Sequence, residues 1–462
     1  MTTTVLMIGS VVFATGQTAI LPNLVHMRAV FHASVTSLTW TSAGFQVAAA
    51  VTAGPLGRLG DMFGKRRLLL VTMGVYAFGA VICLLAPSIG VMIAGRLVMG
   101  AGGAVIPLSY SVAREQLKDD DFVRGVAAIS ATIGSGAAMG LVIGGILSDH
   151  ATFRWVFALS VAGAVVSMIV IAVYIPQSVE RRPARVDAIG VVLLSAGLAV
   201  VLIAVSRAPR IGWLSASTLL PIVVGLIVLV AFGAFERSQA YPLIDVPTFL
   251  QRPVFLTNAA MFLAGFSFFG GTFIMVLQYV QAPQSTGFGF GLAATKAGLV
   301  LVPASLTMWF GSRMAAKLVT SIGTSRTMIA GAVIATLGMA ILIVSHHHVA
   351  DFVIWPMMVF GGNGLMSATA PILIMRDVSA SQSGEATGVN SIVRYVGSSI
   401  GTQVGAGVLA ASAAQHASYP TENGFRLAFL TMAVAGAMAI AVSLMLRPPA
   451  IENKGPTTCA LD

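Results

Sequence analysis

Fourteen apolar runs, each near the length that crosses a membrane, most constrain what this chain can fold into. A helix needs about 20 mostly apolar residues to cross a hydrocarbon core of about 30 Å. Hydrophobic residues make up 57% of the 462 residues, whereas soluble domains reach roughly 45–50%. We therefore predict an all-α polytopic membrane protein with fourteen transmembrane helices. By the roughly 20-residue rule the spans lie at about 5–22, 36–56, 68–87, 90–111, 124–147, 155–175, 188–206, 215–235, 254–276, 293–310, 327–345, 351–374, 387–411 and 427–446.

Two polar stretches divide these runs into groups of six, two and six. The first stretch follows residue 176 and the second ends near residue 252. We predict an N-terminal six-helix bundle at 1–176, two linker spans with cytoplasmic connections at 177–252, a C-terminal six-helix bundle at 253–447 and a cytoplasmic tail at 448–462.

The two groups of six share a faint internal repeat. Glycines recur every four residues in the fifth span of each group, at Gly136, Gly140 and Gly144 and at Gly397, Gly401 and Gly405. Many secondary transporters are built from related halves. Two six-helix bundles that flank an inserted pair of spans explain the pattern most economically.

The cations predict the orientation. The segment Gly57–Arg67 places four of them between two apolar runs. With the N-terminus inside, 18 cations fall on inner loops and edges and 6 on outer ones, and cytoplasmic loops are the ones that carry excess Lys and Arg. We expect a multi-pass protein of the cell membrane with both termini cytoplasmic. The net charge of +10 forms no continuous basic face, so we expect no nucleic-acid partner.

Three motifs carry a specific likeness. They are Gly57-x-x-x-Asp61-x-x-Gly64-Lys65-Arg66, Gly95-Arg96-x-x-x-Gly100-x-Gly102, and Gly140-x-x-x-Gly144-Gly145 followed by Phe153-Arg154-Trp155. By their order and spacing, the chain resembles the fourteen-span drug/proton antiporter branch of the major facilitator superfamily over nearly its whole length. Two positions depart from that family. The stretch Gly16–Pro22 has no acid where the family usually has an aspartate, and Leu141 stands where proline is usual.

The resemblance implies a conformational gate at Gly57, Asp61, Gly64, Lys65 and Arg66. In the family this acid holds the cytoplasmic side closed in the outward-facing state, through contacts with a helix start and a nearby arginine. The alternative is that the segment is only a topological anchor, because any polytopic protein has basic inner loops.

Arg96, Arg394 and Glu385 are the candidate intramembrane or coupling residues. Arg96 lies about six residues, or roughly 9 Å, into its span, where an arginine is costly unless it snorkels, faces a wet cavity or has polar partners. A structural arginine bonded to helix carbonyls is the alternative. Arg394 is nine residues from Glu385, roughly 13 Å along one helix, so direct pairing is not expected and snorkelling is the alternative.

The glycine rows, with Gly145 beside the first of them, let helices approach closely. They indicate either packing alone or a sliding hinge for alternating access. A candidate substrate cavity is lined by amide and aromatic residues, namely Gln17, Trp40, Phe45, Gln46, Gln278 and Gln281. The alternative is that these side chains face lipid or neighbouring helices.

No nucleotide-binding loop, catalytic triad or metal-ligand spacing is visible, so we predict no enzyme activity, no cofactor and no metal. The tract His346–His348 is expected to be an outer loop whose side chains do not converge on one ion.

Together these features predict a secondary active exporter of amphipathic or cationic small organic molecules, a multidrug efflux protein that works as a monomer in the lipid bilayer. Proton-coupled antiport is what the resemblance implies, although no predicted span has a carboxylate in its middle. The alternatives are a facilitative carrier or metabolite exporter without proton coupling, and a membrane sensor that does not transport.

Overall fold

The computed structural model of the chain describes residues 2–33, 35–177, 187–239, 242, 244–376, 378, 383–412 and 420–446. Within these ranges the chain is helical, with turns between the helices and no β-strand. Most of the connection expected after residue 177, and the tail expected at 448–462, lie outside the described residues.

The helices follow one another in three groups. The first group is α1 (Thr2–Thr18), α2 (Leu24–Phe31), α3 (Val35–Phe63), α4 (Lys65–Leu85), α5 (Ile89–Gly100), α6 (Val105–Gln116), α7 (Asp119–His150) and α8 (Arg154–Tyr174). The second is α9 (Ala188–Ile211) and α10 (Ala216–Glu236). The third is α11 (Val246–Leu250), α12 (Arg252–Ala264), α13 (Thr272–Gln281), α14 (Ala294–Val300), α15 (Val302–Ile322), α16 (Thr324–Val344), α17 (Asp351–Arg376), α18 (Ser383–Ser412) and α19 (Glu422–Leu444). A π-helical segment, Gly265–Gly271, joins α12 to α13.

Twelve helical segments in the described part of the chain are long and apolar enough to cross a membrane. They coincide with twelve of the fourteen runs expected from the sequence. The expected count of fourteen is therefore not supported by length and apolar character together. The two runs outside the twelve, 36–56 and 387–411, fall on α3 and α18.

Helices α3 and α18 have the length of spans, with 29 and 30 residues, but they are less apolar than the others. The reason lies in their position. They pack against each other, and polar side chains such as Gln46 and Ser398 meet at their contact. A helix that faces another helix does not need the apolar surface that lipid demands.

The first and third groups repeat one packing pattern, as the glycine rows predict. Helix α7 packs against α1, and α18 packs against α12 and the π-helical segment. The joint between α3 and α4 is Gly64, with φ 99°, and the joint between α15 and α16 is Gly323, with φ 89°. Positive φ favours glycine, because a Cβ makes this backbone region costly. The two halves meet where α3 contacts α18 and where α7 contacts α15.

The linker pair α9 and α10 lies against the junction of the two halves. Helix α9 contacts both α3 and α18, and a small apolar cluster joins the three helices through Ala53, Leu194 and Ile392. Much of the surface of α10 is exposed, including Val223, Ile227 and Val230. In a membrane this surface is suited to contact lipid, because it is apolar and has no protein neighbour in the described chain.

Candidate functional site

The segment Gly57–Arg67 forms a tight joint, which we call the hairpin. The end of the bundle where it lies is called the hairpin face. Gly64 gives the backbone its turn, and a Cβ on Gly60 would lie 2.5 Å from Leu108. Lys65 is buried and its Nζ lies 3.7 Å from Asp61 and 3.7 Å from Glu115. These contacts tie the adjoining ends of α3, α4 and α6 together.

The hairpin also connects the two halves through Glu385, near the start of α18. Arg58 Nη1 lies 3.3 Å from Glu385 Oε2, and both side chains are 8% exposed. The backbone N–H of Glu385 donates to Asp61 Oδ2 at 3.2 Å. Asp61 thus lies at the N-terminus of α18, where the helix dipole favours a negative charge.

The linker segment reaches the same carboxylate. The backbone N–H of Asp245 donates to Glu385 Oε1 at 2.6 Å. We call Arg58, Asp61, Glu385 and Asp245 the latch, because they join the first half, the second half and the linker. Glu385 precedes the expected span 387–411, and its carboxylate is almost completely buried in the latch.

The other two gate residues contribute locally. Arg66 donates to the backbone oxygen of Ala172 near the end of α8, which fastens the hairpin to the last helix of the first half. Gly57 is buried in α3, one residue before Arg58. All five expected gate residues therefore lie at the hairpin face.

Arg96 is fully buried, and its guanidinium is bonded to backbone oxygens. Nε donates to Thr41 O at 2.9 Å, Nη1 to Gly16 O at 2.8 Å, and Nη2 reaches Gln17 O at 3.5 Å. The guanidinium also lies 4.3 Å from the centre of the Phe45 ring, a favourable cation–π geometry. Arg96 therefore joins α5 to the end of α1 and to α3, which corresponds to the structural alternative considered for it.

Arg394 is also buried, and its guanidinium lies 4.9 Å from the ring centre of its neighbour Tyr395. Glu385, the nearest acid along the same helix, instead makes an ion pair with Arg58.

The glycine rows lie at helix crossings. A Cβ on Gly136 would lie 2.6 Å from Ala14, and Cβ atoms on Gly140 and Gly144 would collide with Thr18 and Ala19. Gly145 instead faces Thr295 of α14. A Cβ added to Gly145 would lie 3.0 Å from the Cα of Thr295. The first row thus packs within one half, and Gly145 lies between the halves.

A small pocket with several polar side chains lies between the two halves, and we call it the central pocket. Its lining comprises Gln17, Thr18, Leu21, Ser42, Gln46, Phe273 and Ile274. Gln46 accepts a hydrogen bond from Ser398 of α18 at 2.8 Å. Phe273 and Ile274 lie in the first turn of α13, after the π-helical segment, a type of distortion that is frequent at functional sites.

Of the expected cavity residues, Gln17 and Gln46 line this pocket, and the other four do not. Phe45 is fully buried under Arg96. Trp40, Gln278 and Gln281 lie elsewhere, and Gln278 is exposed.

The histidine tract differs from its expectation in one respect. Ligand atoms of His346, His347 and Glu422 lie within 4.8 Å of one another, close enough for a metal ion. The same place is reached by Arg426, whose guanidinium contacts His346 Nε2 at 3.2 Å and Glu422 at 3.0 Å. Arg426 thus supplies a positive charge beside the Glu422 carboxylate.

Sequence reasoning missed three partners at the site. Neither Arg58 nor Asp245 is a candidate residue in the sequence analysis. The contact of Asn390 Nδ2 with Asn258 Oδ1 at 3.0 Å, between α18 and α12, was not expected. A signal was available for Arg58, since a cation at the end of a span needs an acid when it is buried.

Comparison with known proteins agrees with this architecture. The family model described as the Major Facilitator Superfamily matches residues 6–402. Multidrug resistance protein Stp of Mycobacterium tuberculosis is 27% identical over 380 residues, which cover 81% of this chain and 69% of that protein. The tetracenomycin C resistance and export protein of Streptomyces glaucescens is 26% identical over 386 residues, covering 82% of this chain and 70% of that protein.

Solved structures show the same fold at low identity. The human organic anion transporter MFSD10 (TETRAN) aligns with a TM-score of 0.67 at 14% identity, over 96% of this chain and 98% of that chain. The proton:xylose symporter XylE aligns with a TM-score of 0.67 at 13% identity, over 97% and 95%. Since the family model covers most of its length, the chain belongs to the Major Facilitator Superfamily.

Proposed function

We propose that this transporter exports amphipathic or cationic small organic molecules by alternating access, as a monomer. The observation that carries the proposal is the arrangement of a polar pocket between the halves with a latch that closes one end of the bundle. Breaking and reforming the latch would expose the pocket to each side in turn. The names of the relatives, which include resistance and export proteins, support efflux as the direction.

We propose proton antiport as the source of energy. Its support in this chain is Glu385, the buried carboxylate of the latch, which is paired with Arg58 and accepts from the Asp245 N–H. Protonation there would remove the charge that holds Arg58 and the Asp245 N–H. A proton could therefore be exchanged when the latch opens.

One observation favours an exporter without proton coupling. The seven residues that line the central pocket include no acid, so a proton and a substrate would not compete for one carboxylate there. In this second candidate function the latch only sets the conformation.

We propose fourteen spans in all, with α3 and α18 completing the twelve. Thr2 at the start of α1 donates to Gln116, and the end of α3 lies at the same face as Gln116 through Lys65 and Glu115. These contacts support two crossings of the bundle between Thr2 and Lys65. Likewise α18 begins at the latch, and α19 begins beside His346 at the other end.

We also propose that the hairpin face is cytoplasmic and that both termini lie on that side. The protein would reside in the cell membrane, with functional regions at 1–176, 177–252, 253–447 and 448–462. The 18-to-6 division of cations supports this orientation. Labelling of single-cysteine variants in intact cells tests it. An impermeant reagent should label a cysteine at His347 and not one at Arg182, and labelling of Arg182→Cys from outside would contradict the proposed orientation.

Transport is tested with purified protein in liposomes, with ethidium as an amphipathic cation. A radiolabelled counterflow substrate is chosen from the compounds that ethidium displaces. We expect counterflow without a pH gradient, and faster net export when a gradient is imposed. Counterflow with no response to the gradient would favour the uncoupled exporter. No counterflow of any tested compound would contradict export and favour the sensor alternative. Asp61→Asn should lower transport while membrane insertion stays intact.

A further inference from the structure

A second pocket lies on the side of the bundle, away from the central pocket. We call it the side pocket. Its volume is about 300 Å³, which is at the lower end of the range for small-molecule sites of about 300–1,000 Å³. It is lined mainly by Phe249 of α11, by Phe255, Asn258, Phe262 and Leu263 along α12, and by Val393 of α18.

The side pocket opens at the surface of a membrane-length helix. Phe255 is 45% exposed, and α12 belongs to the apolar segment Arg252–Gln281. The exposed surface of such a segment faces lipid. A molecule dissolved in the hydrocarbon therefore reaches the side pocket without passing through water.

Asn258 gives this apolar pocket one polar group. Its side chain is 1% exposed, and its Oδ1 accepts from Asn390 at 3.0 Å. Its Nδ2 has no hydrogen-bond partner among the described residues. A buried donor without a partner is costly, so an acceptor atom on a ligand would be bound preferentially at this position.

The lining also indicates which charge the ligand carries. Three phenylalanine rings and three aliphatic side chains line the pocket with Asn258, and no lining residue is charged. A charged group would be desolvated there without a counter-ion. The ligand that fits is uncharged, largely apolar, and has a hydrogen-bond acceptor such as a ketone.

The side pocket adjoins the latch. Phe249 and Asn258 also line a narrower cleft, whose other residues include Asp245, Thr248 and Glu385. The hydroxyl of Thr248 donates to Asp245 at 2.7 Å, which fixes the segment whose N–H is bonded to Glu385. An occupant of the side pocket would therefore contact Phe249 and Asn258, which border the cleft that contains Glu385.

We propose that the side pocket binds uncharged amphipathic molecules that carry a hydrogen-bond acceptor and enter from the lipid. This deepens the proposed function and rests on it, because the bound molecules would be export substrates held beside the latch before it opens.

Benzophenone is a suitable probe, since it is an uncharged aromatic ketone that forms covalent bonds to nearby C–H groups when illuminated. Purified protein in lipid nanodiscs is labelled with it, and the labelled peptides are identified by mass spectrometry. We expect labels concentrated between Phe255 and Leu263 and at Val393. Ala259→Trp, which fills the pocket from its wall, should lower this labelling at least tenfold, and Ala259→Ser should leave it unchanged.

Asn258→Leu removes the free donor and should lower labelling severalfold, with thermal unfolding used to check that the variant is folded. Should Asn258→Leu or Ala259→Trp fail to fold, Phe255→Ala tests the same wall at an exposed position. Labelling that is equal on the lipid-facing surface of α10, or unaffected by these variants, would overturn the proposal. Site-specific labelling together with no transport would instead count against the proposed export and leave the side pocket as a binding site.

Discussion

Replacing Glu385 by glutamine should open the hairpin face. The change leaves Arg58 buried without its counter-ion, and removing one partner of a buried ion pair costs about 3–5 kcal/mol. Both side chains are 8% exposed, so burial is nearly complete. Because Asp61 stays nearby and compensates in part, we expect the lower value, about 3 kcal/mol. That amounts to a shift of about a hundredfold in the ratio of closed to open molecules.

The rate at which a maleimide modifies a cysteine at Ala53 measures the open population. Ala53 is fully buried in α3, and a Cβ on Gly388 of α18 would lie 2.8 Å from its oxygen, so the position is reachable only when the halves separate. With Cys83 and Cys459 replaced, and the protein in nanodiscs, Glu385→Gln should raise the rate about a hundredfold, since reaction follows the open fraction.

The matched control is Glu422→Gln at the other end of the bundle, which makes the same chemical change at a carboxylate paired with Arg426. It should not alter the rate. The double variant Arg58→Met with Glu385→Gln should react more slowly than Glu385→Gln alone, because no buried charge is left unpaired. A wild-type rate in Glu385→Gln would refute the reasoning that the ion pair holds the face closed.

Two further outcomes follow from buried contacts elsewhere in the bundle. Arg96→Ala should lower the unfolding temperature and abolish export, since hydrogen bonds to a charged group are each worth about 1.5–3 kcal/mol. A wild-type unfolding temperature together with wild-type export would show that the contacts of Arg96 with the carbonyls contribute nothing. Gly144→Ala should lower the unfolding temperature because the added Cβ would collide with Ala19. Gly233→Ala is the control and should be tolerated, because no atom lies within 4 Å of its added Cβ. Equal effects of the two substitutions would contradict the packing role of Gly144.

The helices that face lipid were predictable, and those that face each other were less so. Twelve apolar runs became twelve membrane-length segments because lipid contact requires apolar side chains along most of the helix. Helices α3 and α18 are surrounded by protein instead. Their length was predictable, but their polar content follows from the contact between the halves, which no local pattern in the sequence reveals.

The latch could be predicted only in part. The motif around Asp61 indicated a contact with a helix start, and the structure brings that carboxylate to the N–H of Glu385. The partner of Glu385 is Arg58, which is 327 positions away along the chain. Such a pairing depends on how two bundles are docked, and spacing along one helix cannot predict it.

The cavity residues show a further limit. Spans that are apolar on most sides carry little information about which side faces inward. Gln17 and Gln46 line the central pocket, but Phe45, next to Gln46, points to Arg96 on another side of α3. The rotation of each helix is fixed by packing against its neighbours and by buried groups such as this guanidinium.

The contacts of Arg96 also bear on how the protein is made. Each backbone oxygen that accepts from its guanidinium belongs to Gly16, Gln17 or Thr41, and all three precede Arg96 in the chain. Synthesis proceeds from the N-terminus, so α1 and α3 already exist when α5 leaves the ribosome. A charged side chain that is costly in lipid can therefore enter the bilayer directly against waiting acceptors, and the order of synthesis favours insertion of this helix.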